Sequence, residues 1–293
     1  MISRQDELPF GEDAGSLLAP LPEEQGEAEF IRRVWEYHRR YRRSMEWRDE
    51  ITPYGVFVSE VMLQQTQVAR VRERYPRFLR RFPSFDALAA ASLREVLEEW
   101  SGLGYNRRAR FLREAAGMVV DRFGGVLPKD PAVLEKLPGI GSNTAGSIAA
   151  FAWNRPTIFF ETNIRTVYIF YFFHGETGVG DEKLRPLLEA TLDRERPREW
   201  YYAVMDLGVY IKGKVGNITR QSRSYARQSP FRGSLREVRG ALLGYLASRD
   251  HGAGERELLD ALGFEPERLR TALERLTAEG FILAEEDGVY RIP

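Results

Sequence analysis

Apolar residues in this chain recur at helical spacing, and no run of strands interrupts them before residue 281. Phe30, Ile31, Val34, Trp35 and Tyr41 fall near a 3.6-residue period. Ser84 stands as a cap before 85–90, and Ser92 with Glu95 forms a capping box before 93–100. A helical stretch over 70–82 is expected to break or kink at Pro76 and to stop at Pro83. Short polar or Gly/Pro links join these segments, so the predicted core is all-α.

Within that frame Ser59-Glu-Val-Met-Leu-Gln-Gln-Thr-Gln-Val68 is unusual. Val58, Val61, Leu63, Val68 and Val71 predict a buried helix start, entered at Ser59 or at Thr52-Pro53. It carries one carboxylate, Glu60, followed by the amides of Gln64, Gln65 and Gln67. An unpaired buried carboxylate is costly or takes up a proton. Glu60 is therefore either a cap or ion-pair partner at a helix N-terminus, or a general acid with a raised pKa beside amides able to hydrogen-bond nucleobases.

The chain contains no cysteine, which rules out disulfides, thiolate zinc and a thiolate-bound iron–sulfur cluster. Three scattered histidines (His38, His174, His251) argue against an all-protein metal site, so no cofactor is expected. With no apolar run of membrane length and no signal-like start, a cytoplasmic protein without a membrane partner is expected. The net charge of zero hides an asymmetry: residues 1–29 carry −7, residues 234–293 carry −4, and the middle carries +11. A basic centre between acidic ends suits nucleic-acid binding, although a solvated face explains part of it. Residues 1–29 lack periodicity and read as a flexible acidic leader.

Two Gly-rich links stand out. Residues 101–110 (Ser-Gly-Leu-Gly-Tyr-Asn-Arg-Arg-Ala-Arg) join an aromatic, Tyr105, to arginines that include Arg107. Leu137-Pro-Gly-Ile-Gly141, followed by Ser142, Asn143 and Thr144, leads into an apolar helix and follows a predicted helix over 132–136. Gly139 and Gly141 expose backbone N–H groups at a helix start, where an anion is favoured; the pattern is that of a helix-hairpin-helix gripping a phosphate. A second carboxylate, Glu161, sits between an apolar run and a helix. It either caps that helix or pairs with Arg165, or it joins Glu60 in the two-carboxylate chemistry of glycosyl transfer.

Together with Met205-Asp-Leu-Gly208, these motifs resemble the helix-hairpin-helix (HhH-GPD) DNA glycosylases, and among them the A/G-specific adenine glycosylases of the MutY family, over roughly 30–228. The resemblance implies a two-lobed α-helical domain over 30–229 that flips a nucleotide out of duplex DNA. It implies Glu60 as the acid that protonates the departing purine, Gln64, Gln65 and Tyr105 at the DNA stack, and Trp47 and Arg48 at the base pocket. It also implies Asn163 beside the catalytic carboxylate at Glu161, and a phosphate grip around Gly139, Gly141, Ser142, Asn143 and Thr144.

Departures qualify it. The family's aspartate is Glu161 here, and the lysine nucleophile of strand-cleaving relatives is Asn143. The four cluster cysteines fall on Lys212, Thr219, Ser222 and Gln228, so the loop at 212–228 is cluster-less; Lys212, Lys214, Arg220, Arg223 and Arg227 remain to meet phosphates. The amide or acid that reads the adenine edge in the family falls on Tyr202 here, and a phenol cannot copy the paired contacts of an amide to adenine. Residues 230–293 read as three helices and a terminal hairpin, resembling a winged-helix domain, and the resemblance to the glycosylases is expected to stop at Pro230. The expected function is that of a monofunctional, monomeric DNA N-glycosylase acting on double-stranded DNA with a mismatched or damaged base, removing adenine from a mismatch. Alternatives are excision of another damaged or alkylated base that stacks on Tyr202, and a DNA-binding regulator that has lost catalysis. The missing thiols give a direct prediction: the purified protein is colourless and folds without iron. A brown protein with stoichiometric iron would contradict it.

Overall fold

Gly208 permits a close helix contact in the protein's first compact unit. A Cβ there would lie 2.6 Å from the carbonyl oxygen of Asn163 and 2.7 Å from its Cβ, so only glycine permits the approach. The computed structural model describes residues 12–21, 26–227 and 229–293. Its helices are α1 (Gly26–Tyr41), α2 (Glu46–Asp49), α3 (Pro53–Leu63), α4 (Val68–Arg81), α5 (Phe85–Ala90), α6 (Leu93–Trp100), α7 (Arg107–Phe123), α8 (Pro131–Leu134), α9 (Ser142–Trp153), α10 (Thr162–Phe172), α11 (Asp181–Thr191), α12 (Pro197–Val215), α13 (Leu235–Ala247), α14 (Glu255–Leu262) and α15 (Pro266–Ala278). Short strands β1 (Ala253–Gly254), β2 (Leu283–Ala284) and β3 (Val289–Arg291) follow α13. Among the described residues no helix is long and apolar enough to cross a membrane.

The first unit comprises residues up to Val56, Lys129–Glu135 and Ile140–Arg227. Its core is formed by α10 and α12, with α1 and α11 packed on them. Phe30 of α1 is fully buried among the rings of Tyr168, Tyr171, Phe172 and Trp200, at centroid distances of 5.1 to 6.0 Å. The expected flexible leader over 1–29 is corrected for its described part. Residues 12–18 form a 3₁₀ turn whose Leu17 is buried in this core. Buried Arg33 donates to the carbonyls of Leu17, Ala19 and Pro20, and the Tyr171 hydroxyl donates to Leu17 O. These acceptors let Arg33 be buried and hold the segment down. Residues 1–11 and 22–25 lie outside the described residues, and α1 starts at Gly26 rather than Phe30.

The second unit comprises Phe57–Pro128, Lys136–Gly139 and residues 229–293. Its aromatic contacts include Phe57 on Phe85, and Phe78 on Phe82 and Trp100. Ser84 and the Ser92–Glu95 box cap α5 and α6 as expected. Pro76 does not break α4, which runs on to Arg81; apolar Val71, Tyr75 and Phe78 stay buried on both sides of it and hold the helix together. In the C-terminal segment β2 and β3 form the expected hairpin, and β1 adds an unanticipated third strand, giving the order β1-β3-β2. Two residues are too short to leave a period-2 signature.

Arg108 organises the loops of this unit. It is buried, and its guanidinium donates to the carbonyls of Val61 and Met62 (2.8 Å each), Leu103 (3.3 Å) and Gly104 (3.0 Å), and to Thr66 Oγ1 (2.8 Å). Val61 and Met62 lie in the last turn of α3, where carbonyls lack intrahelical donors and the helix dipole favours a cation. Burial lowers the Arg108 pKa to about 10, which leaves it charged at neutral pH. Arg108→Met orphans these acceptors together, and a loss of about 2–4 kcal/mol is expected in chemical denaturation. Faster proteolysis within 101–105 should accompany it; unchanged stability and protection would remove Arg108 from this role.

Candidate functional site

Glu60 lies in the third turn of α3, which begins at Pro53 after a Thr52 hydroxyl that accepts from Gly55 N at 3.0 Å. It is therefore no N-terminal cap. Every other residue from 55 to 62 is buried, while Glu60 is half-buried. The helix thus presents one carboxylate from an otherwise apolar surface.

Beyond α3 the chain turns sharply. Gln65 is exposed with φ of +55°, and Tyr105 has φ of +49°, both in the left-handed region that bulky side chains rarely occupy. Among the described non-glycine residues Asn154 alone shares that conformation, and it caps the end of α9. Backbone strain of this kind persists only where neighbours hold it, and here Arg108 and Thr66 do so; the Thr66 hydroxyl also donates to Leu103 O at 3.3 Å. Gln64 Nε2 donates to Gly139 O at 3.2 Å. Gly139 has φ of +76°, and a Cβ there would meet Phe111 Cβ at 2.9 Å. The second unit thus brings Gln64, Gln65, Tyr105 and Gly139 together. Arg107 is exposed on α7 with Glu279 at 3.6 Å, so part of its charge is already answered.

In the first unit Glu161 is the N-cap of α10. Its Oε1 accepts from Asn163 N (2.9 Å) and Ile164 N (3.0 Å), and Oε2 accepts from Asn163 Nδ2 (3.3 Å). Burial pushes its pKa up, while the two backbone amides pull against that shift. Arg165 pairs with Asp181 through two 2.7 Å hydrogen bonds. Asn143 Oδ1 accepts from Phe160 N at 2.9 Å and fixes the chain just ahead of Glu161. Ser142 opens α9, with Gly141 at the N-cap offering no side chain to the first amides, next to Asn143 and Thr144.

Trp47 and Arg48 are buried on α2. Arg48 Nη1 donates to Asp206 Oδ1 at 2.8 Å, and Arg43 donates to the same carboxylate from its side chain (2.7 Å) and backbone (3.0 Å). Burial raises the Asp206 pKa, but the two guanidiniums outweigh it and hold it below the usual range. The Arg48 guanidinium lies 4.4 Å from the Tyr202 ring centroid, and Phe151 stacks on Tyr202 at 4.9 Å and 17°. Contacts on this ring correct one expectation. Tyr202 is buried with Phe151 and Arg48 already against its ring, so it offers no open face for a base to stack on.

Lys212 is exposed near the end of α12. Beyond it Thr219 and Ser222 are buried, and Val179 N and Arg223 N exchange hydrogen bonds of 2.9 Å with Gln221 O and Val179 O. Backbone pairing to Val179 closes a loop whose residues do not suit an iron–sulfur cluster; Gln228 lies outside the described residues. Arg223 pairs with Glu182 at 2.7 Å, which leaves it less suited to a phosphate. Sequence reasoning missed Arg43, Arg108 and Asp206 as organising residues. The signal for Arg108 was its register with buried Leu112, Ala115 and Val119 on α7.

Residues 58–192 match the HhH-GPD superfamily of base excision DNA repair proteins. An adenine DNA glycosylase of Buchnera aphidicola subsp. Baizongia pistaciae is 36% identical over 179 residues, covering 60% of this chain. The chain spans about half (50%) of that relative's length. An adenine DNA glycosylase of Mycobacterium tuberculosis is 31% identical over 278 residues, covering 88% of this chain and 91% of the relative. The segment after Pro230 is about a fifth of the chain, so a match of that span runs into it, and the expected stop at Pro230 is corrected. Among solved structures, a thermostable thymine-DNA glycosylase superposes with a TM-score of 0.56 at 21% identity, covering 63% of this chain and 87% of its own, a likeness of fold. The chain therefore belongs to the HhH-GPD superfamily of base excision DNA repair proteins and, within it, to the adenine DNA glycosylase family.

Proposed function

We propose that the protein is a monofunctional DNA N-glycosylase that extrudes adenine from a mismatched or lesion-containing duplex and hydrolyses its glycosidic bond. The observation that carries this reading is the seat of Glu161. A half-buried carboxylate held by two backbone amides and an asparagine is equipped, in its ionised form, to stabilise a developing oxocarbenium ion. Glu60, emerging from an apolar helix, is the general acid that protonates the departing purine. Asn143 has a carboxamide whose nitrogen is not basic, so no Schiff base forms there and strand cleavage is not part of the reaction. Gln64, Gln65 and Tyr105 engage the opened stack, and the hairpin amides with Lys212 take phosphates. Trp47, Arg48 and Tyr202 border the base. Residues 230–293, with the order helix, strand, two helices and two strands, are read as a winged-helix domain.

Tests follow on duplexes with adenine opposite guanine or 8-oxoguanine. Strand scission is expected only after alkali treatment. Glu60→Gln should slow single-turnover excision by roughly 10²–10⁴, and Glu161→Gln by about 10²–10³. A Glu60→Gln enzyme as fast as the wild type, or scission without alkali, would overturn the mechanism. The acid limb gives a separate check. The active form of Glu161 is ionised and its pKa is raised, so the rate should fall as pH falls through a value above the ordinary glutamate range of about 4.3. A limb at or below that range would mean that Glu161 is not the group required in charged form.

A further inference from the structure

The C-terminal segment bears directly on the loop that carries Tyr105. Arg236, in the first turn of α13, donates from Nη1 to the Tyr105 hydroxyl at 2.6 Å. Its Nη2 donates to Ser229 O (2.7 Å) and Ser229 Oγ (3.1 Å), which fixes the guanidinium from its other side. The guanidinium centre is 5.4 Å from the Tyr105 ring centroid, and that of Arg108 is 5.7 Å away. A second anchor keeps α13 in place. Glu279, at the end of α15, takes a bidentate contact from Arg239 (2.6 and 2.7 Å), and its carbonyl accepts from Arg110 of α7. Arg110 also lies over buried Phe281 at 4.7 Å. All of these residues belong to the second unit.

We propose that Arg236 is a positioning residue for Tyr105, holding that side chain preset for entry into the base stack, so that the C-terminal segment governs how readily a nucleotide is extruded. The inference rests on the proposed glycosylase reading. A half-buried tyrosine in the left-handed region, with its hydroxyl tied and its ring beside two guanidiniums, has already lost the freedom that insertion into DNA would otherwise cost. A phenol anchored through its hydroxyl also gives Tyr105 a use that phenylalanine cannot match.

Full-length wild type, Arg236→Met, Tyr105→Phe and the double variant are compared by stopped-flow fluorescence of 2-aminopurine placed beside the target adenine. Each single change should slow extrusion by about tenfold, and Arg236→Met should have little effect on a chemical step measured once extrusion is complete. The double variant should be no slower than the worse single one. Tyr105→Phe leaves α13 untouched, so it decides the matter even where Arg236→Met folds poorly. Multiplying losses in the double variant, or unchanged extrusion in either single one, overturns the inference. Hydrogen exchange of residues 101–106 without DNA separates this result from the fate of the glycosylase reading. Arg236→Met should accelerate exchange there, and no acceleration overturns the inference. A wild type that excises nothing sinks the enzymatic reading alone.

Discussion

One buried guanidinium bears most of the geometric burden in the second unit. Arg108 terminates α3, closes the turn at Thr66 and holds the loop at Leu103 and Gly104, all from one planar group. The hydrogen bonds of its two terminal nitrogens go to carbonyl and hydroxyl oxygens, which do not neutralise its charge. Desolvation lowers its pKa only to about 10, and the charge persists under the loops that carry Gln65 and Tyr105. The positive end of the arrangement is thus built into the scaffold beneath the residues assigned to the DNA stack, where electrostatics favour a polyanion.

The first unit solves a related problem by pairing. Asp206 is fully buried and accepts from Arg43 and Arg48, which ties α2 and the segment before it to α12. Buried ion pairs contribute little net stability but are costly to break, and so they fix geometry more than they add free energy. Here the fixed geometry is a stack of Arg48, Tyr202 and Phe151. Tyr202 thus stands in the core as an aromatic wall with Arg48 and Phe151 packed against its ring.

Much of this was legible in the sequence, for identifiable reasons. Helices with side-chain caps, such as α5 and α6, appear where Ser84 and the Ser92–Glu95 box predict them. Glu60 and Glu161 were conspicuous because carboxylates are rare in apolar stretches. What escaped depended on partners distant in sequence. Pro76 lies within a continuous helix because tertiary packing outweighs one missing hydrogen bond. Strand β1 exists only through its pairing with β3. Arg236 reaches Tyr105 across 131 positions, and no local pattern distinguishes it from Arg239 on the same helix.

The replacement of aspartate by Glu161 turns on where the charge sits rather than on how long the side chain is. An extra methylene displaces a free carboxylate by roughly 1 Å, a shift able to cost about a hundredfold in rate. Glu161 is not free. Its Oε1 is located by the amides of Asn163 and Ile164, which belong to the rigid first turn of α10. A glutamate that must meet those two donors takes up its additional length in its own torsions, and the oxygen stays where the helix places it. Helix α10 is in turn held by the close approach of Asn163 to Gly208, a contact that a single methyl group would prevent. The carboxylate is therefore positioned by backbone on both counts.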